Sequence, residues 1–256
     1  MVIPDLRNLS ATLHRRDGWQ GVNKAMADLV RHWDDKLPLP QSTRDSCEAY
    51  RTIVGDLMKL DAEGELARVI SDFPHPEISA GTQIAPHVIV LDYANQKTER
   101  YVMEMHTRFF MSQSPQRGHL FLCFWQDEIV SQQDIRIRAR EAVFRYYFQF
   151  TYGPLRTLAD MLRQEGLAQS YGGRPVPDSE AQVEMISRVI QDHLDSEQYR
   201  HQFSCIFGDE IAALLDYKPL GLPPYAGLKL ALAKARDTGV DPITFHQTSF
   251  ELSEVS

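Results

Sequence analysis

The sequence is poor in cysteine, lacks a long apolar run, and does not begin like a secretory signal. Its 256 residues include only three cysteines, Cys47, Cys123 and Cys205. Three widely separated cysteines exclude a disulfide framework and a zinc site of the CxxC type. No apolar stretch approaches the roughly 18 residues that a membrane-spanning helix needs. We therefore expect a reduced, cytoplasmic protein with no membrane partner.

The chain also lacks the excess of basic residues that is typical of general nucleic-acid binding. It holds 27 Lys and Arg against 35 Asp and Glu, which gives a formal net charge of −8. This acidic total argues against non-specific nucleic-acid binding by the whole chain, but it leaves room for a local basic patch. The 43% of hydrophobic residues and 24% of charged residues are those of an ordinary globular protein.

What the chain does have is a local reversal of charge. Residues 135–178 contain seven arginines and four acidic residues, whereas residues 179–217 contain two arginines and eight acidic residues. The basic segment therefore has two interpretations: it binds an acidic partner, or it pairs with the acidic segment that follows it. Arginine suits contacts to carboxylate or phosphate. The chain also has more arginine than lysine overall, but the base composition of the genome is a sufficient explanation of that excess.

Hydrophobic spacing divides the chain into three parts of a single domain, residues 1–256. Residues 18–72 are predicted to be helical, residues 84–130 to be β-rich, and residues 132–238 to be helical again. In the first part, helical spacing predicts one buried helix face made of Cys47, Tyr50, Val54, Leu57 and Met58.

The prediction of the fold class depends on the middle part of the chain, residues 84–130. Residues 88–93 are mostly apolar, residues 100–109 place polar and apolar side chains on opposite faces of a strand, and segments 88–93 and 100–111 are expected to form a β-hairpin. Residues 120–125 follow as a third strand. We therefore predict an α+β protein with a small central antiparallel β-meander, packed by N-terminal and C-terminal helices.

The predicted hairpin brings together three residues that can carry chemistry. A two-residue turn at Asn95 and Gln96 would place His87 opposite Glu104, next to His106 on the polar face. Two histidines and one carboxylate are ligands of many catalytic zinc and iron sites, and without metal they can exchange protons near neutral pH. The alternative is a half-buried sheet that shows its polar side to water. A shift of one residue in register would separate the three side chains.

The basic segment contains arginines interleaved with aromatic residues. This combination is typical of single-stranded nucleic-acid binding and of anchor residues at protein interfaces. Helical spacing places several of the aromatic residues on the apolar face, so part of the segment is expected to belong to the core. The predicted partner-binding residues are Arg136, Arg138, Arg140, Arg145 and Tyr147.

No motif in the chain is specific enough to name a reaction or a cofactor. Our first hypothesis is a bacterial, cytoplasmic accessory or regulatory subunit that contacts an acidic protein or a nucleic acid through residues 136–156. The second is a metal-dependent or acid–base enzyme that uses His87, Glu104 and His106. The third is a small-molecule pocket lined by aromatic residues of the sheet. We favour the first, because it requires only that part of the arginine segment be exposed.

Overall fold

Over the residues that the structure describes, the chain is mostly helical and has two strands, which are parallel. A computed structural model describes residues 6, 47–75, 84–91, 97–110, 118–175, 180–239 and 242. The predicted helical residues 18–46 and the predicted turn at Asn95 and Gln96 lie outside this range. The chain divides into two compact units, one made of residues 1–107 and 113–143, the other of residues 108–112 and 144–256.

In the first unit, helices precede, connect and follow two strands. These elements are α1 (Cys47–Lys59), α2 (Ala62–Ser71), β1 (Ala85–Leu91), α3 (Lys97–Met105), β2 (His119–Trp125) and the beginning of α4 (Gln132–Tyr152). A π-helical turn, His106–Phe110, continues α3. The predicted face of α1 is confirmed at Tyr50, Val54 and Leu57, which are buried, but it is wrong at Met58, which is exposed.

The two strands pair in parallel, with Ala85 opposite His119 and Leu91 opposite Trp125. Since side chains alternate along a strand, one face presents Ile89, Leu91 and Trp125, and these pack against Met103 of α3. The opposite face, which presents Val90 and Phe124, is also buried, and α1 and α2 contact β1. The hydroxyl of Tyr50 donates a hydrogen bond of 2.5 Å to the carbonyl of Val90. The small sheet is therefore covered on both faces, as parallel sheets generally are.

The prediction of a central antiparallel β-meander is wrong. Residues 100–105, expected to form a strand, lie in helix α3, and the paired strands are parallel. The sequence of α3 is rich in Lys, Glu, Arg and Met, which are good helix formers, and Met103 and Met105 are buried. Parallel strands also need a long connection, often helical, rather than a tight turn.

The second unit is formed by helices. They are the end of α4, α5 (Leu158–Gly172), α6 (Glu180–Gln191), α7 (Tyr199–Phe207), α8 (Asp209–Ala212) and α9 (Ala226–Asp237). Helix α5 begins with a capping box, in which Thr157 and Asp160 each accept a hydrogen bond from the other's backbone N–H. Helices α5 and α9 approach closely at Gly166, where a Cβ atom would lie 2.3 Å from the carbonyl oxygen of Ala231. Among the helices described, none is long and apolar enough to cross a membrane.

Candidate binding surface on helix α4

Helix α4 begins at a local capping motif and immediately presents three arginines. The Ser131 hydroxyl accepts a hydrogen bond from the backbone N–H of Asp134, and the Asp134 carboxylate accepts one from the N–H of Ser131. Arg136 and Arg140 follow one turn apart and lie on the same side of the helix, whereas Arg138 lies on the other side. The three predicted arginines are therefore divided between two environments.

Arg136 is anchored by a buried carboxylate on helix α2. Its Nε donates a hydrogen bond of 2.8 Å to Oε1 of Glu65, and Arg68 donates to Oε2 of the same carboxylate. The Glu65 side chain is 3% exposed, while the side chains of Arg136 and Arg68 are each 53% exposed. Burial opposes ionisation of Glu65, but hydrogen bonds and charge from Arg136 and Arg68 outweigh it, so the pKa of this carboxyl is lowered.

Arg140 extends this cationic face along α4. It is exposed, and it makes no hydrogen bond or ion pair with any residue in the described part of the chain. Residues four apart on a helix are neighbours, so Arg140 lies beside Arg136. We name the group Arg68, Arg136 and Arg140 the arginine surface.

Arg138 has a structural role at the end of strand β2. It donates a hydrogen bond of 2.7 Å to Glu128 and a longer one to the carbonyl of Cys123. Its guanidinium carbon lies 5.1 Å from the centre of the Phe124 ring. Arg100 of α3 also contacts Glu128, at 3.4 Å. These contacts connect α4 to the strand, so we do not include Arg138 in the arginine surface.

Arg145 and Tyr147 lie in the interior of the second unit. Tyr147 is 1% exposed. Arg145 donates hydrogen bonds of 2.5 and 3.0 Å to the two oxygens of Glu165, and Arg108 donates one of 2.6 Å to the same carboxylate. Burial raises the pKa of Glu165, but the charges and hydrogen bonds of Arg145 and Arg108 dominate and lower it to about 2. Neither Arg145 nor Tyr147 belongs to the arginine surface.

The π-helical turn that carries Arg108 is held by side chains of α4 and α5. The carboxamides of Gln149 and Gln164 donate hydrogen bonds of 3.1 and 2.8 Å to the carbonyl oxygen of Arg108. Gln164 also accepts a hydrogen bond of 2.7 Å from Gln149. Such bonds satisfy a polar backbone group in the interior and fix the position from which Arg108 reaches Glu165.

His87, Glu104 and His106 are divided among three elements. His87 lies in β1, Glu104 in α3 and His106 in the π-helical turn, because residues 100–106 do not form the predicted strand. Burial lowers the pKa of His106. Among the residues that the structure describes, no group of three or more His, Cys, Asp or Glu side chains is arranged to hold a metal ion.

His87 instead pairs with His119, a residue that the sequence interpretation missed. The Nε2 atom of His87 and the Nδ1 atom of His119 lie 2.9 Å apart in a hydrogen bond, and Phe121 stacks on the His87 ring. Burial, followed by the charge of His119, lowers the pKa of His87 to about 4. The pair follows from the parallel pairing of residues 85–91 with 119–125, which no local pattern of the sequence shows.

Glu65 and Arg68 were also missed, although the sequence does contain a signal for them. Ala62, Leu66 and Val69 are buried on one side of α2, and Glu65 lies on the same side. A carboxylate at a position that faces the core requires a cationic or hydrogen-bonding partner. The helical spacing of α2 therefore predicts a buried ion pair, but it does not say which arginine supplies it.

Comparisons with protein-family models, with curated proteins and with solved structures give no match for this chain.

Proposed function

We propose that this protein is a cytoplasmic binding or regulatory subunit whose arginine surface contacts an acidic surface of a protein partner. The observation that carries the proposal is the attachment of two half-exposed guanidinium groups to one buried carboxylate, Glu65. Arginine is well suited to this role because its planar guanidinium can form two parallel hydrogen bonds to a carboxylate.

The charge of the cluster favours an anionic partner. Glu65 compensates one positive charge, while Arg68, Arg136 and Arg140 supply three. Asp61 lies 3.7 Å from Arg68 and is largely exposed, so solvent screens its contribution. The arginine surface together with Glu65 therefore keeps a net positive charge, although the chain as a whole is acidic.

The anchoring also lowers the entropic cost of binding. Long exposed side chains lose rotamer freedom when they enter an interface. Arg136 engages Glu65 through Nε and makes no other hydrogen bond within the described residues, so its terminal nitrogens can meet a partner. Because Glu65 already holds the Arg136 guanidinium in place, this side chain loses less rotamer freedom on binding. This supports a role in docking a partner rather than that of an exposed charge that contacts only water.

An acidic protein surface explains these features better than a nucleic acid does. Binding of single strands usually combines cationic groups with exposed aromatic rings on which bases stack. The large aromatic side chains of α4 that are exposed, Phe150 and Tyr152, belong to the second unit, whereas the arginine surface belongs to the first.

The test is binding of a fluorescent glutamate-rich peptide and of a single-stranded oligonucleotide of equal length, measured by anisotropy at low and at physiological salt. We expect the peptide to bind the wild-type chain, and the double variant Arg136→Glu/Arg140→Glu to bind it roughly tenfold more weakly. Arg188→Glu is the control for a single charge reversal elsewhere in the chain, because Arg188 is an exposed helical arginine of the second unit that is paired with Glu184.

Equal weakening by Arg188→Glu, or no effect of the double variant, would contradict the proposal. Tighter binding of the oligonucleotide than of the peptide, lost in the double variant, would assign the same surface to a nucleic acid.

A further inference from the structure

The two imidazoles at the amino end of the sheet are held in direct contact by the strands. Parallel pairing places Ala85 opposite His119, so His87 is displaced by two residues along β1 and lies on the same face as His119. The distance between His87 Nε2 and His119 Nδ1 is 2.9 Å, with the ring centres 5.1 Å apart. In such a contact one proton is shared between two nitrogen lone pairs.

We infer that His87 and His119 form a two-histidine site for a transition-metal ion, such as Zn²⁺ or Cu²⁺, that replaces the shared proton. Imidazole nitrogen is a preferred ligand of both ions. With Zn–N bonds of about 2.0 Å and tetrahedral angles, two ligand nitrogens lie about 3.3 Å apart. The observed 2.9 Å separation therefore needs to widen by only a few tenths of an ångström, and the two rings need to turn so that both nitrogen lone pairs point at the ion.

The surroundings of the pair suit a metal ligand. Both rings are half-buried, so water can complete the coordination of the ion. Phe121 stacks on His87 with ring centres 5.2 Å apart and limits the orientations of that ring.

The second unit contains a pair that serves as a control. His193 and His201 have ring centres 5.2 Å apart, almost the same as His87 and His119. However, the Nδ1 atom of His201 is hydrogen-bonded to the hydroxyl of Ser196, at 3.2 Å. The distance between ring centres is therefore similar in the two pairs. In the His87–His119 pair, however, a nitrogen of one ring is hydrogen-bonded to a nitrogen of the other.

The experiment titrates the chelator-free, full-length chain with ZnCl₂ and, separately, with CuCl₂ at pH 7.5, with calorimetry as the readout. We expect one ion per chain at this site and at least roughly tenfold weaker binding in His87→Gln and in His119→Gln. His193→Gln should bind like the wild type. Zn²⁺ should raise the melting temperature of the wild type and of His193→Gln, but not of the other two variants.

Circular dichroism with EDTA present shows whether each variant folds. His87→Gln and His119→Gln change different strands, so either variant alone can decide the test. If one variant fails to fold, the other decides. Copper-bound wild-type protein should show, by electron paramagnetic resonance, two imidazole nitrogens around the ion. Unchanged affinity in a folded His87→Gln or His119→Gln, or no ion bound by the wild type, would overturn the inference.

Discussion

The Nε atom of Arg136 donates a hydrogen bond of 2.8 Å to Oε1 of Glu65, and this contact connects the first turns of helix α4 to the buried side of helix α2. Glu65 is separated from Arg136 by 71 positions in the sequence. The contact fixes an exposed cation on a buried anion, so it contributes both to stability and to the shape of the surface offered to a partner.

Replacement of Glu65 by Gln should destabilise the first unit modestly. The carboxylate is buried but its two arginine partners are half-exposed, so solvent screens part of the interaction and we expect a loss of about 1 kcal/mol. Urea unfolding at pH 7 measures it. Because the pKa of Glu65 is lowered in the folded state, its contribution is present above the unfolded pKa and is lost as the pH falls through the folded value. The stability difference between wild type and variant should therefore shrink in acid.

Replacement of Glu165 by Gln should have a much larger effect. The variant leaves the guanidinium groups of Arg108 and Arg145 in the interior without their shared carboxylate, which costs about 3–5 kcal/mol. Glu184→Gln removes an exposed helical pair with Arg188 and should change the free energy of unfolding by about 0.5 kcal/mol or less. Similar losses in the two variants would show that the buried triad is not what stabilises this unit.

The stability contributed by Glu165 should disappear in acid. Its pKa is about 2 in the folded protein and has an ordinary value of 4.5, so the carboxylate stabilises the fold above pH 4.5. This contribution is lost as the pH falls from about 4.5 to about 2. Unfolding curves of wild type and Glu165→Gln, measured at intervals between pH 7 and pH 3, should converge. A constant gap over this range would contradict the assignment.

His87 predicts a second region of pH sensitivity, at higher pH. Its pKa falls from 6.5 to about 4 on folding, so the unfolded chain binds a proton more readily between these values. Stability is therefore fully present above pH 6.5 and decreases as the pH falls toward 4. His87→Gln should lose less stability than the wild type between pH 7.5 and pH 5, as measured by urea unfolding. An equal loss would show that the imidazole pair does not disfavour protonation.

Two glycines in helices should respond in opposite ways to alanine. At Gly166 a Cβ atom would lie 2.3 Å from a backbone oxygen of α9, so Gly166→Ala should force the helices apart and cost about 1–3 kcal/mol. At Gly55 in α1 a Cβ atom meets nothing within 4 Å, so Gly55→Ala should stabilise the protein by about 0.5–1 kcal/mol. Thermal unfolding distinguishes the two. A stabilising Gly166→Ala would contradict the close packing of α5 on α9.

Local periodicity predicts much of the helical structure but does not reveal how the strands pair. Tyr50, Val54 and Leu57 could be assigned to a buried face because helical spacing is a local signal. The stretch around Met103 and Met105 alternates between polar and apolar residues, and this short pattern fits a strand as well as a helix. Parallel pairing depends on contacts between residues 85–91 and 119–125, which no local pattern encodes.

The candidate site could be predicted only in part for the same reason. The exposed positions of Arg136 and Arg140 follow from helical spacing, but the buried acceptors do not. Arg145 lies in the same arginine-rich run as Arg140, yet it enters the interior because Glu165 faces it there. The position of the Arg145 side chain therefore depends on Glu165, a carboxylate 20 residues away in the sequence, which helical spacing does not reveal.

The most direct test of the arginine surface is native mass spectrometry of the protein purified from its own cells at low salt. We expect a stoichiometric complex with an acidic protein that dissociates as salt is raised, because exposed charge pairs are screened. The complex should be absent when Arg136→Glu/Arg140→Glu is purified in the same way and present with Arg188→Glu. An identical complex with the double variant, or bound nucleic acid in place of a protein, would contradict it.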